Sequence, residues 1–359
     1  MTDNISRIAL IVTERCYRPG EQVSGHVTFR PAHKHDKVHL QTCGREAVSW
    51  VETMSYSVQG WNQTYVEEFK SDNKLFYSTL ELGFPSELDV QRTYTLNFTF
   101  RLPQNIPGNH ADAGGVGVVY QIQAYDAVDN VKATAEIKVV QEPLILNRIS
   151  VKSKKPLTLC CNRGDVLSRF TFDSVSYKPG ETVLITPVIV NKSKGQLKQY
   201  QLTLKSIVEM KTPEKTKKVE NIVMKEQIQP PTDRESFMFR LPPSLHQCSF
   251  GSIYNHYYLL SIHLDMTSGW GPSVEIPIFV LLDPPSSSMF TSESIKEDVD
   301  ETDLPPVEIQ ILQNCSTNFR PSFSLSKFSN VSEIPKELGS MGSRLYKSAS
   351  KLMQSFAIR

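Results

Sequence analysis

The 359-residue sequence contains no CxxC pair, and its six cysteines, at positions 16, 43, 160, 161, 248 and 315, show no paired metal-ligand spacing. It has no G-x-S-x-G nucleophile elbow, no phosphate-cradling glycine-rich loop and no H-E-x-x-H pair, so no catalytic set emerges and no cofactor is expected. A charge excess is missing too: 39 Lys and Arg against 38 Asp and Glu give a formal net charge of +1. Nothing in that balance calls for a nucleic acid as partner. No apolar run approaches the length needed to span a bilayer. The start, Met1 to Arg7, passes directly into an alternating stretch (Ile8, Leu10, Val12) without the apolar core of a secretory signal. Reduced thiols and a cytoplasmic location are the expectation that follows.

What the sequence does have is a sentence written twice. Tyr17-Arg18-Pro19-Gly20-Glu21 precedes Val23, Gly25, Val27 and Phe29; Tyr177-Lys178-Pro179-Gly180-Glu181 precedes Val183, Ile185 and Ile189. Pro at the second turn position presets φ and Gly at the third accepts positive φ, so each Pro-Gly reads as a type II turn entering a strand. The echo continues downstream. Phe98-Thr99-Phe100-Arg101-Leu102-Pro103 matches Phe237-Met238-Phe239-Arg240-Leu241-Pro242, and Tyr120 to Asp126 matches Tyr258 to Asp265. With Ala135 to Val140 matching Val274 to Phe279, four anchors in one order mean two tandem copies of one β-domain.

Alternation at Phe76/Ser78/Leu80/Leu82 and Tyr94/Leu96/Phe98/Phe100, with Pro/Gly punctuation, argues for antiparallel β-sandwiches. The division expected is a first sandwich over 1–142, a hinge or connector over 143–157, a second sandwich over 158–283, and a tail over 284–359. Pro187 lacks an N–H for a ladder and belongs at an edge or bulge. Residues 293–308 hold seven acidic side chains against Lys296, the composition of a flexible segment. Beyond Arg320 the balance turns basic, and a helical stripe over 343–358 is the one amphipathic helix the sequence shows.

Two linked sandwiches with these anchors resemble the alpha-arrestins, the arrestin domain-containing proteins, over roughly residues 5–283. The resemblance rests on the two Tyr-x-Pro-Gly-Glu turns, on Gly44-Arg45-Glu46-Ala47-Val48-Ser49-Trp50, on Phe100-Arg101-Leu102-Pro103 through Pro107-Gly108, and on Lys154 to Cys161. It implies an all-β fold of two immunoglobulin-like sandwiches and a non-enzymatic adaptor. Such a protein holds cytoplasmic segments of membrane receptors or transporters and supports their endocytosis, sorting or transport, with recruitment to plasma membrane or endosomes. A retromer-like subunit of an endosomal coat is the alternative. The Pro-Pro-x-Tyr motif through which alpha-arrestins engage ubiquitin ligases is absent: the tail has Pro284-Pro285-Ser286-Ser287 and Pro305-Pro306-Val307-Glu308.

Candidate sites follow, each with a plainer reading beside it. Lys211, Lys215, Lys217 and Lys218 form a basic hairpin suited to anionic cargo, or a solvated tip kept soluble by lysine. Arg7, Arg15, Arg18 and Arg30 lie on or beside the first strands, where the resemblance implies binding of phosphorylated tails. The helical stripe of Arg344, Leu345, Lys347, Lys351, Leu352, Met353 and Phe356 suits an anionic membrane surface, an intramolecular latch, or helix-prone disorder. His33 and His35 alone make no structural metal site. Cys160-Cys161 suits packing better than acylation, and Trp50 and Tyr257-Tyr258 suit the core.

Overall fold

Each Pro-Gly turn closes as its residues dictate. In a computed structural model, Gly20 has φ 81° and Gly180 φ 80°. The Glu21 amide donates to the Arg18 carbonyl at 3.1 Å and the Glu181 amide to the Lys178 carbonyl at 3.1 Å. Each glutamate folds back as well: its carboxylate accepts from the Arg18 amide in one copy and the Lys178 amide in the other, both at 2.6 Å. Arg101 and Arg240 then donate to the carbonyls of Gly20 and Gly180. The duplicated sentence is a duplicated set of hydrogen bonds.

The structure describes residues 7–282, apart from positions 15, 91, 113 and 268 and the stretches 35–36, 59–60, 84–87, 127–131, 141–146, 158–163 and 231–234, together with 307–308. Every regular element among them is a β-strand. In the first half, Arg7–Val12, Gln22–Arg30 and Tyr94–Arg101 form one sheet. The facing sheet runs Cys16–Tyr17, Lys132–Val139, Gly117–Asp126, Val38–Val58, Trp61–Glu81, with His110–Ala111 beside Gly117–Asp126. The second half repeats this order, with Asn147–Leu157 as an added edge strand. Asn147–Leu157, Gly164–Ser174, Thr182–Asn191 and Phe237–Arg240 face Ser176–Tyr177, Gly269–Val280, Tyr254–Met266, Leu197–Lys211 and Thr216–Ile228. Even the parallel pairs match, Cys16–Tyr17 on Lys138–Val139 and Ser176–Tyr177 on Phe279–Val280.

Alternation decides what is inside. Val23, Val27, Phe29, Phe98 and Phe100 fill the first sandwich; Phe170, Phe172, Val183, Ile185 and Phe239 fill the second. Tyr257, Tyr258 and Trp50 are buried, as their apolar settings suggest. Pro187 pairs with Phe170 on one side, while Phe237–Arg240 reaches only to Ile185 on the other, so Pro187 sits where the strand has become an edge.

Two segments differ from the sequence expectation. The stretch read as a connector, 143–157, contributes the strand Asn147–Leu157, which pairs with Gly164–Ser174 and so belongs to the second half's sheet. Its lysines and Pro156 had the look of a linker, yet both are tolerated on a sheet edge. In the acidic segment 293–308, Val307–Glu308 adds a parallel strand to the edge at Phe98–Thr99. An open sheet edge offers backbone partners regardless of the side chains that arrive.

Candidate interaction site at the domain junction

The two halves meet through groups that sequence patterning did not single out. Glu46 lies on Val38–Val58 with its side chain fully buried. Its carboxylate accepts the Ser252 amide at 2.9 and 3.1 Å, the Ile253 amide at 3.0 Å and the Ser252 hydroxyl at 2.7 Å. One carboxylate of the first half thus captures a turn of the second. Charge-assisted bonds to backbone N–H groups are the strong kind. Gly251 makes the approach possible, since a Cβ there would lie 2.1 Å from Glu46 Oε1.

The same junction carries further cross-bonds. Gln247 Nε2 donates to the Asn109 carbonyl at 2.7 Å and the Val139 carbonyl at 2.9 Å, and Ser249 Oγ donates to the Gly108 carbonyl at 2.7 Å. Asn73 Nδ2 reaches Ser252 Oγ at 2.8 Å. Apolar contact runs through as well: Met210 and Tyr254 of the second half are buried in the core of the first. Tyr120, also fully buried, is pinned by donating to the Pro107 carbonyl at 2.6 Å, and burial pushes its phenol well above the usual range.

The basic hairpin takes part in this junction. Lys215 pairs with Glu52 of the first half and stands 5.2 Å over the Phe69 ring, while Lys217 stands 6.0 Å over Trp50. The hydrogen bond from Lys215 holds the Glu52 carboxyl below the usual carboxylate range. Lys218 pairs with Glu220 at 2.7 Å, and Lys211 is exposed. Lys215 and Lys217 therefore serve contact between the halves, and Lys211 and Lys218 are the members that face solvent.

Among the arginines, the register places Arg7 directly opposite Arg30 at one end of the first sheet, both exposed. Directly opposed residues share a face, so two positive charges stand side by side. Arg18 is exposed at the Pro-Gly turn, at the other end of the nine-residue strand Gln22–Arg30, about 30 Å away at roughly 3.3 Å per residue. Arg15, His35, Cys160-Cys161 and the whole stripe from Arg344 to Phe356 lie outside the described residues. His33 is exposed.

Beyond the junction the first half extends an arm. Val38–Val58 pairs with Gly117–Asp126 only as far as Ala47; past it the strand has Trp61–Glu81 alone for a partner. Glu52 and Glu67 lie opposite each other, and the fourteen residues between them in sequence, 53–66, include no charge. Trp61 is 77% exposed and Val66 69%, with Tyr56 and Tyr65 half exposed and edge to face at 5.9 Å. Register puts Met54, Tyr56, Trp61 and Tyr65 on the face that, further down, Trp50 and Phe69 turn toward the lysine hairpin.

Comparison with known families agrees with this architecture. Residues 7–144 match the family model described as arrestin (or S-antigen), N-terminal domain, and residues 162–285 match arrestin (or S-antigen), C-terminal domain. The chain belongs to the arrestin-domain-containing proteins, a family that is generally one of non-enzymatic adaptors. A search of curated proteins finds no match.

Proposed function

We propose that the chain is a cytoplasmic adaptor that grips cytoplasmic segments of membrane receptors or transporters and supports their endocytosis or sorting. The observation that carries this reading is the charge-free aromatic arm. Exposed Trp and Tyr side chains on a two-stranded ribbon are the residue types that anchor protein–protein contacts, because they bury large area at little entropic cost. A soluble chain keeps such a surface at the risk of aggregation, which a partner explains. The junction supports the arm by tying its base to the second sandwich through Glu52, Lys215 and Lys217. Arg7 and Arg30, side by side, suit an anionic group such as a phosphorylated or acidic cargo residue.

The test is binding of the full chain to a panel of receptor and transporter tails, unmodified and phosphorylated. Trp61→Ser together with Tyr65→Ser is expected to weaken binding at least tenfold with the unfolding midpoint unchanged. Binding to no tail in any phosphorylation state, or full binding by the doubly substituted chain, refutes the reading.

A further inference from the structure

Three histidines, contributed by both halves, meet at the junction beside Gln247 and Tyr254. His110 lies on the short strand His110–Ala111 of the first half; His246 and His256 belong to the second. The rings of His110 and His256 stack with centroids 3.8 Å apart and planes 24° apart, and His246 meets His110 edge to face at 5.9 Å. His256 Nδ1 lies 3.2 Å from the Gln247 carbonyl, which only accepts, so Nδ1 carries the proton. Nε2 is then the acceptor for the Ser206 hydroxyl at 3.0 Å. His110 Nδ1 is bonded to the Tyr254 hydroxyl at 2.6 Å. Burial disfavours the charged form of both rings.

We propose that this trio is an acid-sensitive latch, in which proton uptake by His110 and His256 releases the second sandwich from the first. The stacked rings come one from each half, so charging both sets two cations in contact across the junction, and separation is the motion that relieves it. A cavity of about 310 Å³, lined by the three histidines with Ser206, Asn221, Ser244 and Tyr258 among others, gives water and protons a route to them. The groups facing the pair are Tyr254 and Asp112 around His110, Tyr258, Ser206 and the Gln247 carbonyl around His256, and His246 beside both. Asp112 favours a charged His110; burial and the neighbouring histidine oppose it more strongly.

Burial pushes His110 down to about 4 and His256 down to about 3, from an ordinary value of 6.5. A depressed histidine contributes stability that is complete above the unfolded value and lost as pH falls toward the folded one. The latch is therefore shut above pH 6.5 and loosens below it. With two extra protons bound by the open form, the ratio of open to closed rises about a hundredfold per pH unit through the window. The proposal stands apart from the cargo reading, because it concerns closure of the two halves alone.

Small-angle X-ray scattering of the full chain from pH 7.5 to 4.5, with far-UV circular dichroism alongside, tests it. The expected result is a rise in radius of gyration with that steepness while the strand signal holds, and no rise for His110→Gln/His256→Gln. Loss of strand signal before any expansion, or the same midpoint in the doubly substituted chain, overturns the proposal. Should that variant not fold, histidine-selective NMR on the unmodified chain decides. Titration of His110 and His256 in step with expansion supports the latch; expansion while both stay neutral, or their titration without expansion, overturns it.

Discussion

Replacing Glu46 by Ala removes the acceptor of two backbone amides and a hydroxyl at the junction. The amides of Ser252 and Ile253 are partly buried, so water offers only partial relief. At about 1–3 kcal/mol for each donor left without its acceptor, the loss comes to about 3 kcal/mol. Gly251→Ala reaches the same bonds from the other side. Its Cβ would stand 2.1 Å from Glu46 Oε1 and 2.6 Å from Cδ, so the carboxylate must move away and release the turn, again at about 3 kcal/mol. In a Glu46→Ala background that clash is gone. What remains is the Tyr254 carbonyl at 2.9 Å, about 1 kcal/mol in either background, so Gly251→Ala costs about 4 kcal/mol alone and about 1 kcal/mol on Glu46→Ala, and the two substitutions should couple by about 3 kcal/mol. Equilibrium urea unfolding of the four proteins in this cycle measures the coupling. Strictly additive costs would show that Gly251 is not needed for the carboxylate's approach, and the account of the junction would fall.

Three further outcomes follow from the repeat and the core. Gly20→Ala and Gly180→Ala each place a side chain at φ near +80°, at a cost of about 1–2 kcal/mol; urea midpoints should fall alike, and a loss at one turn only would break the equivalence of the copies. Tyr120→Phe removes the donor to the buried Pro107 carbonyl and should cost about 1–2 kcal/mol by the same measurement, whereas no change would mean the hydroxyl is idle. The Glu220 carboxyl is held below the ordinary carboxylate range by hydrogen bonds from Lys218 and Lys205. Its contribution is present above the unfolded value and fades as pH falls through the lowered one, so Glu220→Gln should lose stability at pH 7 but not at pH 2.

Several features were readable in advance because their causes are local. Pro19-Gly20 and Pro179-Gly180 fix their turns from within four residues, and Glu21 and Glu181 close them. Alternation at Val23/Val27/Phe29 names a buried face with no knowledge of the partner sheet. The lysine hairpin was visible as charge, yet the role of Lys215 depends on Glu52, 163 positions away. Asn147–Leu157 looked like a linker because its lysines and Pro156 suit an edge strand and a connector equally.

The order of amino acids settled that there are two sandwiches, where their turns fall and which side chains go inward, because those outcomes depend on neighbours along the chain. The grip of Glu46 on amides 206 and 207 positions away and the stacking of His110 on His256 were decided only when the halves came together, and the exposure of Trp61 only by its strand pair outrunning the rest of the sheet. A carboxylate that binds backbone N–H groups leaves no mark on the identity of its partners, and a histidine looks the same in sequence whether water or another ring lies against it.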